Sequence, residues 1–182
     1  MVAIVGGSKV STKLAMLEKM SDKVDRLIVG GGIANTFLAA QGLPIGNSLC
    51  EYDFIADAQR IMKKTDIILP VDVLVGGAFS ESTAAILKSV KDVSSEDMIL
   101  DIGPVSAKKL IDVASISGAD AVKFQTFKAE NLIVKNTQKA DYQKQTTDAS
   151  ESQLDMIKKL ELDVDTHKEL IAYCQKKDIM FL

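Results

Sequence analysis

Short apolar, β-branched runs alternate with stretches of helical period along this chain, and this alternation limits the possible folds more than any other feature. Apolar residues recur at helical spacing between the runs, as in Leu14, Leu17 and Met20. Strand–helix–strand repetition with nearly continuous apolar strands predicts a three-layer α/β fold. We expect one Rossmann-like domain, residues 1–182, with a doubly wound, mostly parallel sheet of about six strands. The predicted strands cover residues 3–5, 27–29, 67–69, 98–100, 121–122 with Phe124, and 179–182.

The composition excludes several classes of protein. A hydrophobic fraction of 47% and a charged fraction of 26% over 182 residues are typical of a globular domain. A net charge of -3, no Trp and no block of basic residues argue against nucleic-acid binding. No apolar run approaches the roughly 20 residues of a membrane helix, and the start of the chain lacks a signal-peptide pattern, so we expect a cytoplasmic protein. Cys50 and Cys174 are far apart in the sequence, and we expect reduced thiols.

Glycine directly follows two of the predicted strands and lies close behind a third, at Gly6, Gly30 and Gly103. The carboxyl ends of parallel strands line the crevice where α/β proteins bind ligands, and glycine there lets backbone N–H groups approach a phosphate or a flat base. Lys9 and Lys13 flank a helix start, where both ammonium groups could meet phosphate oxygens. The alternative is that the glycines only permit tight turns and the lysines are only solvated. Neither a Walker loop nor a Rossmann fingerprint is present.

Five longer motifs together resemble phosphoglycerate kinase in order and spacing. They are VGGSKVSTK at residues 5–13, LIVGGGIANTFL at 27–38, IGNSLC at 45–50, LPVDV at 69–73 and LDIGP at 100–104. The resemblance covers about residues 1–104 and corresponds to the start of that family's C-terminal, nucleotide-binding domain. It implies that Lys13 contacts the nucleotide phosphates and that Lys9 lies nearby. It also implies an adenosine pocket with walls formed by Gly6, Gly7, Ser8, Gly30, Gly31, Gly32, Leu100 and Gly103.

The likeness then stops. A strand ending in Trp-Asn-Gly-Pro, a glutamate for the ribose, and a Gly-Gly-Gly-Asp-Thr loop for phosphates and magnesium belong to the family pattern and do not occur here. The family's N-terminal lobe, which binds 3-phosphoglycerate and supplies an arginine, has no counterpart either.

About residues 105–182 resemble a different family, the N-acetylneuraminate (sialic acid) synthases. The motifs are SAKKLIDVA at residues 106–114 and GADAVKFQTF at 118–127. Those enzymes are (β/α)8 barrels that condense phosphoenolpyruvate with an amino sugar, so the resemblance implies a phosphoenolpyruvate contact for Lys123 and Gln125. The family's first-strand glutamate, metal-binding histidines and most of its barrel are missing, and we expect no metal site. His167, the one histidine, is expected to be solvated.

Two unrelated enzyme families thus meet near residues 103–106, at a predicted strand–loop–helix junction. This position predicts an engineered chimera, with a natural fusion as the alternative. We expect a folded α/β protein without catalytic turnover that requires no cofactor and retains weak binding of ADP or ATP with magnesium. The alternative is a phosphoglycerate kinase fragment that is active only when its missing lobe is supplied. An unpaired edge strand, such as the last, predicts homo-oligomers, and the polar residues 135–150 predict a lid or a mobile segment.

Overall fold

A computed structural model describes residues 1–77, 85–124, 128–132, 152–158 and 161–182 of the chain. None of the helices in these ranges is both long and apolar enough to span a bilayer. The strands are β1 (Val2–Gly6), β2 (Arg26–Gly30), β3 (Asp66–Ile68), β4 (Asp72–Gly76), β5 (Ile86–Ser89), β6 (Met98–Ile102), β7 (Ala121–Val122) and β8 (Met180–Phe181). The α-helices are α1 (Leu14–Ser21), α2 (Gly32–Ala40), α3 (Ile55–Met62), α4 (Pro104–Ile116), α5 (Ala129–Leu132), α6 (Gln153–Lys158) and α7 (Val164–Lys176).

The first sheet is parallel and has the strand order β1-β2-β3. β1 and β2 are in register from Val2 opposite Arg26 to Gly6 opposite Gly30. The alternation of side chains along β2 sends Leu27 to one face and Ile28 to the other. Leu27 joins a large buried cluster that contains residues of α1, α2 and α3, while Ile28 belongs to a separate cluster on the opposite face. This sheet is therefore covered on both faces, as its apolar strands predict.

The second sheet is antiparallel and has the order β5-β4-β6. The register between β4 and β6 shifts at a bulge. Leu74 lies opposite Asp101, and Val75 lies opposite Ile99, so Leu100 has no partner in this register. The bulge places an extra residue in β6 shortly before the strand ends.

The structure thus confirms an α/β chain with parallel strands but does not confirm one doubly wound sheet of about six strands. All six predicted strands form, and the described residues contain two more, β4 and β5. The strands divide into three sheets, one of which is wholly antiparallel. Of the two additional strands, β4 is buried at the centre of its sheet, whereas β5 is an edge strand with Ile86 56% and Leu87 51% exposed. Such a strand lacks the continuous buried pattern from which the others were predicted.

β7 also pairs differently from the prediction. It was expected to extend the main sheet through a crossover, but in the described part of the chain it pairs in parallel with β8 alone. Phe124 just after β7 stacks on Phe181 of β8, with ring centroids 5.5 Å apart. This aromatic contact reinforces the short two-stranded pairing.

Helix α4 packs against the first sheet with one face and against α7 with another. On one face, Val113 is buried with Ile28 and Ile68 of the first sheet. On another, Ile111 is fully buried in a cluster with Leu170 of α7. The segments that resemble two different families therefore share apolar contacts across α4.

Candidate nucleotide-binding crevice

A cavity of about 520 Å³ opens between the loops that follow β1 and β2 and the strand β6. This volume is typical of small-molecule sites. Most of its walls are apolar, and its single basic and single acidic side chains are Lys9 and Asp101. The lining residues are Ser8, Lys9, Gly31, Gly32, Ala34, Asn35, Leu38, Asn47, Leu49, Pro70, Val73, Met98, Ile99, Leu100, Asp101 and Ile102.

Close backbone contact between the two glycine-rich loops shapes one wall. Gly31 has φ +64° and ψ -153°, a conformation open to almost no other residue. A Cβ on Gly31 would lie 2.8 Å from the carbonyl oxygen of Gly7, and one on Gly32 would collide with the carbonyl of Ser8. The N–H of Ile33 donates to that same Gly7 carbonyl at 3.0 Å. Glycine at positions 31 and 32 is therefore needed for the two loops to meet.

A carboxylate from outside the loop holds the segment that carries Lys9. Glu51 accepts hydrogen bonds from the backbone N–H of Ser11 at 2.9 Å and from its hydroxyl at 2.6 Å. Partial burial works against ionisation of Glu51, but the bonds from Ser11, with a smaller contribution from the charge of Lys9, lower its pKa. Lys9 itself is exposed at the mouth of the cavity, free to meet an anion.

Two of the predicted site residues lie apart from the cavity lining, on the loop after β1. Lys13 is the N-cap residue of α1 and is exposed, and Gly7 lies behind Gly31 as the acceptor described above. Neither Ser11 nor Thr12 caps α1 as their positions suggest. The Ser11 side chain binds Glu51, and the Thr12 hydroxyl donates to the carbonyl of Lys9.

The glycine at position 103 leaves room for the carboxylate of Asp72. A Cβ at this position would collide with the carboxylate of Asp72. That buried carboxylate accepts from the N–H groups of Val105 at 2.9 Å and Ser106 at 2.7 Å, in the first turn of α4. The Ser106 hydroxyl lies 2.5 Å from an Asp72 oxygen and also accepts from the N–H of Val71. Asp72 thus caps α4 from a distant strand, and Gly103 leaves room for it.

A second, smaller cavity of about 180 Å³ adjoins the first. Its lining includes Gly6 and Gly30, both predicted for the site, and the side chain of Lys109. It shares Gly31, Pro70, Asp101 and Ile102 with the larger cavity. The two spaces therefore form one crevice, which brings together seven of the ten residues predicted for the nucleotide: Gly6, Ser8, Lys9, Gly30, Gly31, Gly32 and Leu100.

Asp101 was not among the predicted residues. Crowding by surrounding protein atoms raises its pKa, and a weaker opposing effect comes from the N–H of Ile102, which donates to its Oδ1 at 2.7 Å. The available signal in the sequence was its position next to Leu100 at the end of a predicted strand.

The predicted phosphoenolpyruvate contact of Lys123 and Gln125 stays a prediction, because only Lys123 belongs to the described residues. Lys123 is exposed just after β7, and Gln125 and residues 135–150 lie outside the described ranges. Among the described residues, no group of three or more His, Cys, Asp and Glu could hold a metal ion. His167 is half-buried against the Phe181 ring, with centroids 4.9 Å apart, rather than fully solvated.

Comparisons with known proteins agree with both resemblances. The family model described as phosphoglycerate kinase matches residues 1–126, and that described as the NeuB family matches residues 110–182. The structure of phosphoglycerate kinase from Coxiella burnetii is similar with a TM-score of 0.61 and 34% sequence identity. That similarity covers 99% of this chain and 46% of the other, so the chain spans about half the length of that relative.

Phosphoglycerate kinase from Pyrococcus horikoshii OT3 is similar in fold, with a TM-score of 0.53 and 23% identity over 63% of this chain and 31% of the other. The two family matches overlap at residues 110–126, a range that includes the second half of α4 and β7. The chain combines a phosphoglycerate-kinase-like part with a NeuB-like part. Because the first match extends over more than half of its residues, the chain belongs to the phosphoglycerate kinase family.

Proposed function

We propose that the chain binds an adenine nucleotide, ADP or ATP, weakly in the crevice and does not transfer a phosphoryl group on its own. The observation that carries this proposal is the 520 Å³ cavity in which Lys9, Gly31, Gly32 and Leu100 come together. Membership of the family supports the choice of an adenine nucleotide.

The residues present fit such a ligand in chemical type. Apolar side chains such as Leu49 and Leu100 offer a surface for a flat base. Gly32, the first residue of α2, lines the cavity, while the N–H groups of Ile33 and Ala34 already donate to the carbonyls of Gly7 and Gly31. Lys9 adds a positive charge for phosphate oxygens. A magnesium ion would enter with the phosphates and neutralise part of their charge. The role of this chain is then to bind and orient the nucleotide.

Weak binding follows from how few charged donors the crevice offers. Lys9 is the one basic side chain that lines the larger cavity, and Lys109 is the one that lines the smaller cavity. The sequence also lacks the Gly-Gly-Gly-Asp-Thr phosphate loop and the ribose glutamate of the family pattern. We expect a dissociation constant nearer 1 mM than 1 μM, equivalent to roughly 4–6 kcal/mol.

Titration with ADP and magnesium, followed by backbone amide NMR shifts, tests the proposal. We expect shifts at Gly31, Gly32 and Leu100, and a several-fold weaker affinity in Lys9→Ala because a charged hydrogen bond is lost. Lys19→Ala, an exposed lysine on α1 outside the cavity lining, is the matched control. No shift in the crevice at 10 mM ADP, or equal loss in both variants, would refute nucleotide binding there.

The same titration of Lys13→Ala separates the family pattern from the geometry of this chain. The family resemblance assigns the phosphates to Lys13, whereas Lys9 is the lysine that lines the cavity. A larger loss for Lys9→Ala than for Lys13→Ala supports binding through the cavity mouth. The reverse order would mean that the nucleotide phosphates lie along the start of α1.

The coverage of 46% of the Coxiella burnetii chain favours a second proposal, in which this chain contributes phosphoglycerate kinase activity when the other lobe is supplied. A coupled assay with 3-phosphoglycerate, ATP and magnesium tests it with and without a separately produced N-terminal lobe. Turnover by the chain alone would contradict the first proposal, and no turnover in the mixture would contradict the second. That the fusion is engineered stays a prediction.

Self-association is a further proposal. Within the described residues, β1 pairs with β2 on one side only, and its Ile4 is 65% exposed. β8 at the other end pairs with β7 alone. Open edges can pair between chains, so we expect a concentration-dependent size in gel filtration coupled to light scattering. A constant monomer mass up to high concentration would exclude it.

A further inference from the structure

Asp101 lies where the two cavities of the crevice meet. It lines both of them, and among their lining residues it is the only acidic side chain. A carboxylate at this position is unfavourable for phosphate groups because like charges repel. It is suited instead to ligand groups that donate hydrogen bonds.

A β-bulge lies next to Asp101 in β6. Leu74 pairs with Asp101 and Val75 with Ile99, which leaves Leu100 as the extra residue. A bulge bends its strand and changes the direction of neighbouring side chains. All five residues of β6, with Leu100 and Asp101 among them, line the larger cavity.

Asp101 also differs from other carboxylates of the second sheet in what it contacts. Asp72 caps α4, and Asp97 pairs with Lys88 at 2.6 Å. Asp101 accepts one hydrogen bond, from the N–H of Ile102 to its Oδ1, and within the described ranges it forms no ion pair. Its Oδ2 is left to accept from a ligand. Asp101 is exposed to solvent as well as lining the crevice, so its carboxylate is accessible to a ligand, and the surrounding protein atoms raise its pKa.

We propose that Asp101 accepts hydrogen bonds from the ribose hydroxyls of the bound nucleoside and so makes the crevice selective for ribonucleosides. This proposal rests on the proposed adenine-nucleotide site and assigns recognition of the ribose to the Asp101 carboxylate. An acidic side chain near the end of a strand binds ribose hydroxyls in other α/β proteins. Here Asp101 follows Leu100, which offers an apolar surface for the base, and both lie in the same cavity as Lys9.

The test compares adenosine with 2′,3′-dideoxyadenosine as probes, by NMR titration of the full chain. We expect the wild type to bind adenosine about tenfold more tightly, which is typical of a hydrogen bond to a charged group. Asp101→Ala should bring the ratio close to one, and Asp101→Asn, which keeps the shape, should leave an intermediate ratio. Asp53→Asn, at an exposed position outside the crevice, should keep the wild-type ratio.

ADP serves as the reference that separates the two proposals. If ADP shifts the crevice amides but adenosine shows no preference over the dideoxy form, or if Asp101→Ala keeps the preference, the role of Asp101 is refuted while nucleotide binding stands. If neither adenosine nor ADP shifts these amides, both proposals fail. An unchanged amide spectrum outside the crevice verifies that each variant is folded.

Discussion

The part of the chain that forms the crevice and the part that follows α4 both have an apolar cluster, but they differ in the contacts that accompany it. Around the crevice, loops meet backbone to backbone at Gly31, over an apolar cluster in which Phe37 is fully buried. In the later part, polar groups next to the apolar cluster of Ile111 and Leu170 also connect α4 to α7. The Tyr173 hydroxyl donates to Asp112 at 3.0 Å, and Lys177 pairs with the same carboxylate at 2.6 Å.

This difference decides which changes are costly in each part. Around the crevice the atoms are closely packed, so adding or removing side-chain atoms there leaves a clash or a cavity. Substitutions in this part should therefore lower the free energy of unfolding by several kcal/mol. Partly exposed charges interact more weakly because solvent screens them. The hydrogen bond with Lys177 lowers the pKa of Asp112, and the same contact raises the pKa of Lys177. Both side chains are about a third exposed, which limits what this pair adds to stability.

Removing the largest fully buried side chain of the first part should have the largest effect. Phe37→Ala should lower the free energy of unfolding by about 3–5 kcal/mol because it leaves a cavity under the crevice. If residues 1–182 form one domain, amides of Leu27 and Leu170 should lose protection in the same urea transition, since α4 contacts both parts. Tyr52→Ala, 63% exposed, is the control. Two separate transitions would refute the single domain.

The close contact of the two loops predicts the next effect. Gly31→Ala should cost about 1–3 kcal/mol from backbone strain, with a further loss because the Cβ would lie against the Gly7 carbonyl. Gly42→Ala is a matched control, because its φ is also positive, at +76°, but a Cβ there meets nothing within 4 Å. Urea unfolding of both variants measures the difference. Equal losses would mean that the contact between the loops contributes nothing.

A smaller effect is expected for the polar contacts of the second part. Tyr173→Phe removes the hydroxyl that donates to Asp112 and should cost about 1 kcal/mol, since the site is only partly buried. Tyr52→Phe removes an exposed hydroxyl and should change stability very little. Thermal unfolding at low and high salt distinguishes the hydroxyl from the neighbouring ion pair. A Tyr173→Phe loss that disappears at high salt would contradict a contribution from the hydrogen bond itself.

The smallest effect concerns acid stability near the second sheet. The hydrogen bond from Lys88, with one from the N–H of Ser94, lowers the pKa of Asp97 from 3.8 to about 2. Because the folded pKa lies below the unfolded one, this stabilisation is complete above about pH 4 and is lost as the pH falls towards 2. Asp97→Asn should flatten the fall of the urea midpoint between pH 4 and 2. Asp53→Asn serves as the control, and a slope unchanged by Asp97→Asn would refute the assignment.

Much of the secondary structure could be predicted from local patterns. The six apolar runs all form strands, and the stripe of Leu14, Leu17 and Met20 lies on α1. The sequence analysis missed α2, although residues 27–38 were read as one motif. Its segment, Gly32–Ala40, is apolar nearly all round, with almost every residue buried, so it shows no polar face to mark a helical period.

The candidate site was predictable only in part, because some of its residues are placed by contacts with distant segments of the chain. The glycines of the crevice follow strands, and strand ends can be predicted locally. The importance of Asp101 and Asp72 depends on where their carboxylates lie relative to distant segments. Asp72 reaches the first turn of α4, more than thirty residues along the chain, and Asp101 lines the crevice next to a bulge in the pairing of β6 with β4.

The amino-acid sequence by itself determined the α/β class, the positions of most helices and strands, and the meeting of two families in one chain. These follow from apolar periodicity and from motifs, which act over a few neighbouring residues. The tertiary structure alone decided that the strands form three sheets, that β7 pairs with β8, and that Asp101 rather than Lys13 lines the crevice. Strand pairing and cavity lining join residues far apart in the chain, so no local pattern encodes them.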